Sequence, residues 1–291
     1  MGNSIDYEYD TYGDLVAVTD QQGNVTRYIY NSSHGLMDII DPRGVRPARN
    51  EYDDRGRLIA HIDADGNRLE YTHDIDNRQE IIKDRLGNIT VYGYDENGNV
   101  LSITDAYGNK TSYSYDSKGN KLSETDALGN ETKYTYDNQG NMLSVIDPLG
   151  NTTKYTYDSK GKVLSMTDAM GNITTYTYDS KGNRTSEIVG DKTTIYEYDN
   201  RNNLISVTEP SGKVRKYKYD SKGNKIGEID SAGNEIIYNY NNNGCLISKT
   251  VISTIGSKTE TVTTKYVYDS MNRVVEVIDA YGKSSKLEYN S

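Results

Sequence analysis

The sequence contains no tryptophan, no phenylalanine, one cysteine and four prolines in 291 residues. A single cysteine, Cys245, excludes an internal disulfide framework. A formal net charge of −10 excludes the basic stripe carried by binders of phosphate backbones, so no nucleic-acid partner is expected. No apolar run approaches the roughly 18 residues of a spanning helix, so membrane insertion is not expected either. Met1-Gly2-Asn3-Ser4 lacks the basic-then-apolar order of a secretory leader, and Asp6 stands where a lipidated Met-Gly start needs Ser or Thr. Turn signals return about every ten residues, too often for helices of ordinary length, which leaves an all-β chain.

Tyrosine supplies all the aromatic character, with 28 copies. Its ring can be buried while its hydroxyl reaches water or a partner, which suits a thin sheet with half-wet faces. The tyrosines recur as Tyr-x-Tyr-Asp every 21 residues. The motif reads Tyr92, Tyr94, Asp95; Tyr113, Tyr115, Asp116; Tyr134, Tyr136, Asp137; Tyr155, Tyr157, Asp158; and Tyr176, Tyr178, Asp179. It slips by one residue to Tyr196, Tyr198, Asp199 and resumes at Tyr217, Tyr219, Asp220. Looser copies occur at Tyr7, Tyr28, Tyr71, Tyr238 and Tyr266. A fixed period of this kind marks an array of units, each burying its apolar surface against its neighbours. About 13 such units make one continuous array over residues 1–291 with no linker.

Two turn signals punctuate each unit. The first follows the tyrosines and carries its glycine at Gly98, Gly119, Gly140, Gly161, Gly182 and Gly223. The second pairs Asp126 with Gly129, Asp147 with Gly150, and Asp168 with Gly171. Asp at the first position and Gly at the fourth is the preference of a type I turn whose glycine supplies positive φ. Pro42, Pro148 and Pro210 all occupy the second turn position, where a fixed φ belongs. The segments between, such as Lys110 to Tyr115 and Lys121 to Thr125, are rich in Thr, Tyr, Ser and Leu and read as strands.

Equivalent residues of successive units share an environment and must share a face, but two three-residue loops would give an even spacing and exchange the faces. One four-residue loop or a bulge is therefore required. Placing the longer loop at Ser117–Asn120 pairs Tyr115 with Leu122 and sets Leu122 across from Tyr134. Tyrosines and Leu122, Leu143 and Leu164 then share one face, with Ser114, Lys121, Ser123 and Thr135 on the other. The unit after Asp179 is one residue short and turns near Gly190-Asp191. The unit after Asn241 is seven residues longer and turns near Gly256-Ser257, so a hairpin insertion at residues 245–268 is expected to project beyond the array.

Roughly 26 strands about 4.8 Å apart would form a ribbon about 125 Å long with one greasy face. Sheets beyond about ten strands twist, curl or close, which points to a hollow wall. Units such as Tyr134-Thr-Tyr-Asp-Asn-Gln-Gly-Asn-Met-Leu143, followed by Asp147-Pro-Leu-Gly-Asn151, resemble the YD repeats of the Rhs family over nearly the whole chain. That resemblance implies tandem two-stranded repeats forming a curved, spiralling antiparallel sheet, a partial hollow shell. Family members that enclose a toxin carry a self-cleaving Asp-Pro site and a toxin after the repeats. This chain has neither, and Asp147-Pro148 is explained by its turn. The sequence therefore reads as a fragment of a longer, extracellular or surface shell.

No catalytic, cofactor or metal site emerges. His34, His61 and His73 lack ligand spacing and read as repeat drift, and Cys245 reads as a turn substitution. Asp63-Ala-Asp65-Gly66-Asn67 lacks the later acidic ligands of a calcium loop. Lys118, Lys160, Lys181 and Lys222 read as solvated turn residues. A non-enzymatic wall enclosing a polypeptide cargo, or joined to further repeats of a parent protein, is the leading expectation. A glycan- or cell-surface-binding module and an end-to-end self-assembling scaffold are the alternatives.

Overall fold

Asp116-Ser-Lys-Gly119-Asn120 shows how the chain turns in the computed structural model, which describes residues 4–289. Asp116 N donates to Asn120 O at 2.9 Å and Gly119 N donates to Asp116 O at 3.1 Å. The Asp116 carboxylate then closes the loop from inside. Its Oδ1 accepts from Lys118 N at 2.8 Å and Asn120 N at 2.9 Å, and its Oδ2 from Asn120 Nδ2 at 2.8 Å. Gly119 sits at φ +83, open to glycine without steric penalty. The Asp126 turn repeats this pattern bond for bond. The carboxylate takes amides from the third and fifth residues and skips the second, which is why Pro148 is tolerated there.

Among the described residues there are 27 strands and no helix. The chain divides into two compact units, Met1–Asn151 and Thr152–Ser291. In the first, every strand from Asp6–Tyr9 to Met142–Ile146 pairs antiparallel with the next in sequence. The second repeats this from Thr152–Tyr157 to Ser284–Lys286. Local hairpins account for every pairing, as an array of two-stranded repeats requires.

The two turns of a repeat are alike, so the longer loop expected at Ser117–Asn120 is not what fixes the parity. A bulge does so instead. Tyr113 pairs with Glu124 and Ser114 with Ser123, in the anticipated register, but Tyr115 pairs with Lys121 and leaves Leu122 extra. The same shift recurs at Tyr9, Tyr30, Tyr52, Tyr94 and Tyr136 in the first unit. It returns at Tyr157, Tyr178, Tyr198, Tyr219, Tyr240 and Tyr268 in the second.

The bulge also corrects the assignment of faces. Leu122 and Ser123 together oppose Ser114, and both turn to its side. Thr185, which occupies the Leu122 place in its own repeat, shows the direction: its hydroxyl lies 2.7 Å from that of Thr177 on the Ser/Thr face. Leu122, Leu143 and Leu164 therefore leave the tyrosine face and stand 38–40% exposed. Lys121 moves onto it. The aliphatic partners of the rings are the residues directly across from the first tyrosine, such as Ile103 for Tyr92, Val145 for Tyr134 and Met166 for Tyr155.

Within each unit the sheet is open and uncurled; backbone pairing joins only neighbours in sequence, and ion pairs such as Arg68–Glu51 and Lys218–Glu235 reach one strand further. The curvature expected to cover the greasy face is not made there. The face is dressed by its own side chains instead, and side-chain burial stays partial almost everywhere, with Ala17 and Ala60 the only buried apolar residues among those described.

Candidate functional site

The feature repeated most often, and therefore the one that the chain displays, is the tyrosine face. A bulge leaves a backbone carbonyl without a ladder partner. In several repeats the second tyrosine of the following repeat supplies the missing donor. Tyr178 Oη donates to Val163 O at 2.8 Å, Tyr240 to Lys225 O at 2.9 Å and Tyr52 to Leu36 O at 2.9 Å. Across the long insertion Tyr268 still reaches Leu246 O at 2.9 Å. His73 holds the tyrosine position in its own repeat and does the same work, with Nε2 2.7 Å from Leu58 O and Nδ1 2.6 Å from Glu80 Oε2. Repeat drift does not describe it; His73 replaces a ring and a donor together. Burial pushes the hydroxyl pKa of Tyr94, Tyr178, Tyr219 and Tyr240 above its usual value. Replacing Tyr178 with Phe removes the donor and keeps the ring, so we expect a loss of about 1 kcal/mol in urea unfolding. An unchanged midpoint would show that water serves the Val163 carbonyl equally well.

Cations occupy the same face. Lys121 Nζ lies 5.7 Å from the Tyr113 ring centre and 4.9 Å from that of Tyr134, and it donates to Glu124 at 2.6 Å. That bond raises the Lys121 pKa. Arg184 with Glu187, and Lys225 with Glu228, repeat the arrangement between their own pairs of rings. Other repeats carry apolar residues at both places, such as Met142 with Val145 and Val163 with Met166. In the Lys121, Arg184 and Lys225 repeats a cation at the first place comes with a glutamate at the second, whereas the repeat of Leu246 and Lys249 carries a charge at the second place alone. That co-occurrence is legible in the sequence once the bulge is known, and is easily missed without it.

Both members of the Lys121–Glu124 pair are about a third exposed, so the pair is worth little net. The Lys121→Met variant should lose under about 1 kcal/mol, and the double variant Lys121→Met/Glu124→Val should recover it, because it restores the apolar form of the repeat. A double-mutant cycle in urea measures the coupling. Additive losses would mean that the two residues act independently.

The rim lysines are not simply solvated. Lys118 Nζ donates to Asn138 O at 2.6 Å, Lys181 to Asn200 O at 2.6 Å and Lys222 to Asn242 O at 3.1 Å, each reaching the turn of the following repeat. Arg201 makes the same bridge to Ser221 O at 2.7 Å. The opposite rim carries apolar tips, with Leu128 and Leu149 each 88% exposed. Cys245 lies within the turn closed by Asn241, donating its N–H to Asn241 Oδ1 at 2.9 Å. Among the described residues no three His, Cys, Asp or Glu side chains converge as metal ligands. The turn aspartates spend their oxygens on amides, which holds their pKa below the ordinary carboxylate value.

One concavity stands out in the first unit, a groove of about 510 Å³ lined by Asp10, Tyr12, Asp14, Tyr28, Tyr30 and His34. His34 Nδ1 lies 2.8 Å from Asp14 Oδ2, and its ring meets Tyr12 edge-on at 6.0 Å.

The teneurin YD-shell family model matches residues 106–285, and the RHS-repeat model matches residues 4–46, 52–89 and 76–110. A search of curated protein sequences gives no match. Similar solved structures include the crystal structure of TcdB2-TccC3-TEV, at a TM-score of 0.73 and 18% identity over 94% of this chain. The TcdB2-TccC3-Cdc42 structure gives 0.57 and 18% over 94%. The Photorhabdus luminescens Tc holotoxin pore carrying TccC3-D651A gives 0.58 and 19% over 96%. The match spans 17–19% of the length of those chains. At such identities the likeness is one of fold.

Proposed function

Because the chain belongs to the teneurin YD-shell family, we propose that it serves as a wall segment of a larger, secreted or surface-displayed shell that encloses or presents a polypeptide. One observation carries this reading: a single-ply sheet devotes one whole face to half-buried tyrosines and cations and keeps its hydrogen-bonding turns for the rims. Such a face offers stacking, cation and hydroxyl contacts without selecting one ligand shape. A lining for unfolded chain needs those properties. The short span matched in much longer shells supports the chain as part of a larger array, with further repeats of the parent as its neighbours. The role is structural, with no chemistry asked of any residue.

Reduced, carboxymethylated α-lactalbumin labelled with fluorescein is a suitable unfolded probe. Fluorescence anisotropy should show saturable binding, and hydrogen exchange should place protection on the tyrosine strands. A probe that stays free at the highest protein concentration attainable would sink the reading.

A carbohydrate-binding role, the second reading, rests on the groove with Tyr12, Tyr28, His34 and two aspartates, where rings and carboxylates converge as sugar recognition requires. A glycan array comparing the protein with its Tyr12→Ala variant separates the two: sugar binding lost in the variant supports the groove.

A further inference from the structure

The long hairpin has one strand edge that nothing covers among the described residues. Its strands, Leu246–Ile255 and Lys258–Tyr268, are joined by Gly256-Ser257, with Gly256 at φ +64. Both outrun their neighbours. The strand Glu235–Tyr240 reaches only to Ile252, and Val274–Ile278 pairs with Lys265–Tyr268 alone. Ile255 pairs with Lys258 across a two-residue turn, which makes them a hydrogen-bonded pair. Alternation then points the N–H and C=O of Thr259, Thr261 and Thr263 away from the hairpin. Thr254, paired with Thr259, confirms the alternation from the other strand, since its N–H leaves the hairpin and reaches Asn234 Oδ1 at 3.1 Å. That edge is capped.

The Lys258 edge has no such cap among the described residues. Lys258 through Val262 are exposed, whereas Thr263 and Thr264 are half-buried, at the level where the Asp279–Lys283 turn begins. Thr259 and Thr261 therefore present their backbone groups to solvent. An open edge of this kind is a template for one more strand.

We propose that the strand added there is the same edge of a second copy, antiparallel about a two-fold axis at Thr259. Charge selects this partner and this register. Centred on Thr259, the pairing sets Lys258 of each copy directly across from Glu260 of the other, on one face of the joined sheet, and Ser257 across from Thr261. Centred on Glu260, it would set the two glutamates against each other. Centred on Thr261, it would drive each tip into the Asp279–Lys283 turn of the other copy. One register thus satisfies hydrogen bonds, charge and space. The overlap is only a few residues, so the dimer is weak and reversible.

Directly opposed hydrogen-bonded residues have Cα atoms about 5.5 Å apart, within disulfide range. The test places a cysteine on the axis, Thr259→Cys, in a Cys245→Ser background, with Thr263→Cys as the off-register control and circular dichroism to confirm folding. Under mild copper-phenanthroline oxidation, the Thr259 variant should form covalent dimers at least ten times faster than the control. Adding Glu260→Lys should abolish that advantage, and Lys258→Glu with Glu260→Lys should restore it. Equal rates at the two positions, no dimer from Thr259→Cys, or indifference to the charge reversal overturns the proposal. Association that persists through the reversal would belong to another surface, such as the ends of the array.

Discussion

Deletion of Leu122 leaves the protein folded, within about 1 kcal/mol of its original stability, whereas deletion of Glu124, two residues away, costs about 3–5 kcal/mol or abolishes folding. The asymmetry follows from the bulge. With Leu122 gone, Tyr115 still faces Lys121, Ser114 faces Ser123 and Tyr113 faces Glu124, so the ladder becomes regular and nothing downstream moves. Removing Glu124 takes a residue from a stretch that already alternates. The strand must then turn Tyr134 and Tyr136 out to the Ser/Thr face, or dismantle the Asp126 turn to absorb the loss. The short repeat with the Gly190-Asp191 turn shows that absorption is possible only with a different turn chemistry, a two-residue loop that the Asp126 sequence does not encode. Urea unfolding followed by circular dichroism measures both variants. Equal losses would mean that parity is carried by the loops after all.

That contrast also marks where the sequence stops being legible. Turn positions, strand order, the ladder register and the all-β class follow from Asp, Gly, Pro and Tyr spacing, because each of those residues acts locally. The arithmetic of an odd period demanded one extra residue per repeat, expected in the Ser117–Asn120 loop but found instead at Leu122, within the strand. It could not distinguish a longer loop from a bulge, since both have the same parity. The distinction decides where Lys121 and Leu122 point, and with it the cation-lined character of the tyrosine face. The tyrosine caps were hidden for a related reason. Val163 O needs a donor only because a bulge freed it, and a backbone group leaves no mark in a sequence. His73 was the one available hint, a ring with a donor standing where tyrosine is the rule.

The array should also come apart in acid, and turn by turn. Turn carboxylates such as Asp20, Asp116 and Asp126 accept asparagine side chains and backbone amides, bonds that favour the charged form and lower the folded pKa below 3.8. Arg57 takes Asp53 down to about 2, by its backbone amide first and its side chain second. A carboxyl whose folded pKa lies below its unfolded one adds stability that is complete above the unfolded value. That stability disappears as pH falls through the folded value. The protein should therefore keep its urea midpoint from pH 7 to about pH 5, weaken below about pH 4, and lose its β signal as pH approaches 2. Protonation also leaves the charge of 33 lysines and arginines and three histidines unopposed, which works in the same direction.

The chain contains the control that separates the two effects. Asn31 and Asn241 close turns through Oδ1, accepting Ser33 N and Gly35 N at 2.9 and 2.8 Å, and Asn243 N and Cys245 N at 3.0 and 2.9 Å. An asparagine thus makes the Oδ1 bonds without titrating, and gives up only the Oδ2 contact. Asp→Asn changes at Asp116, Asp126, Asp137, Asp168 and Asp220 should cost a modest amount at pH 7 and shift the acid midpoint to lower pH. Charge repulsion alone predicts the reverse, because the same changes make the neutral-pH protein less acidic and leave its charge at pH 2 unaltered. An acid midpoint that does not move, or that moves upward, would remove the turn carboxylates as the cause.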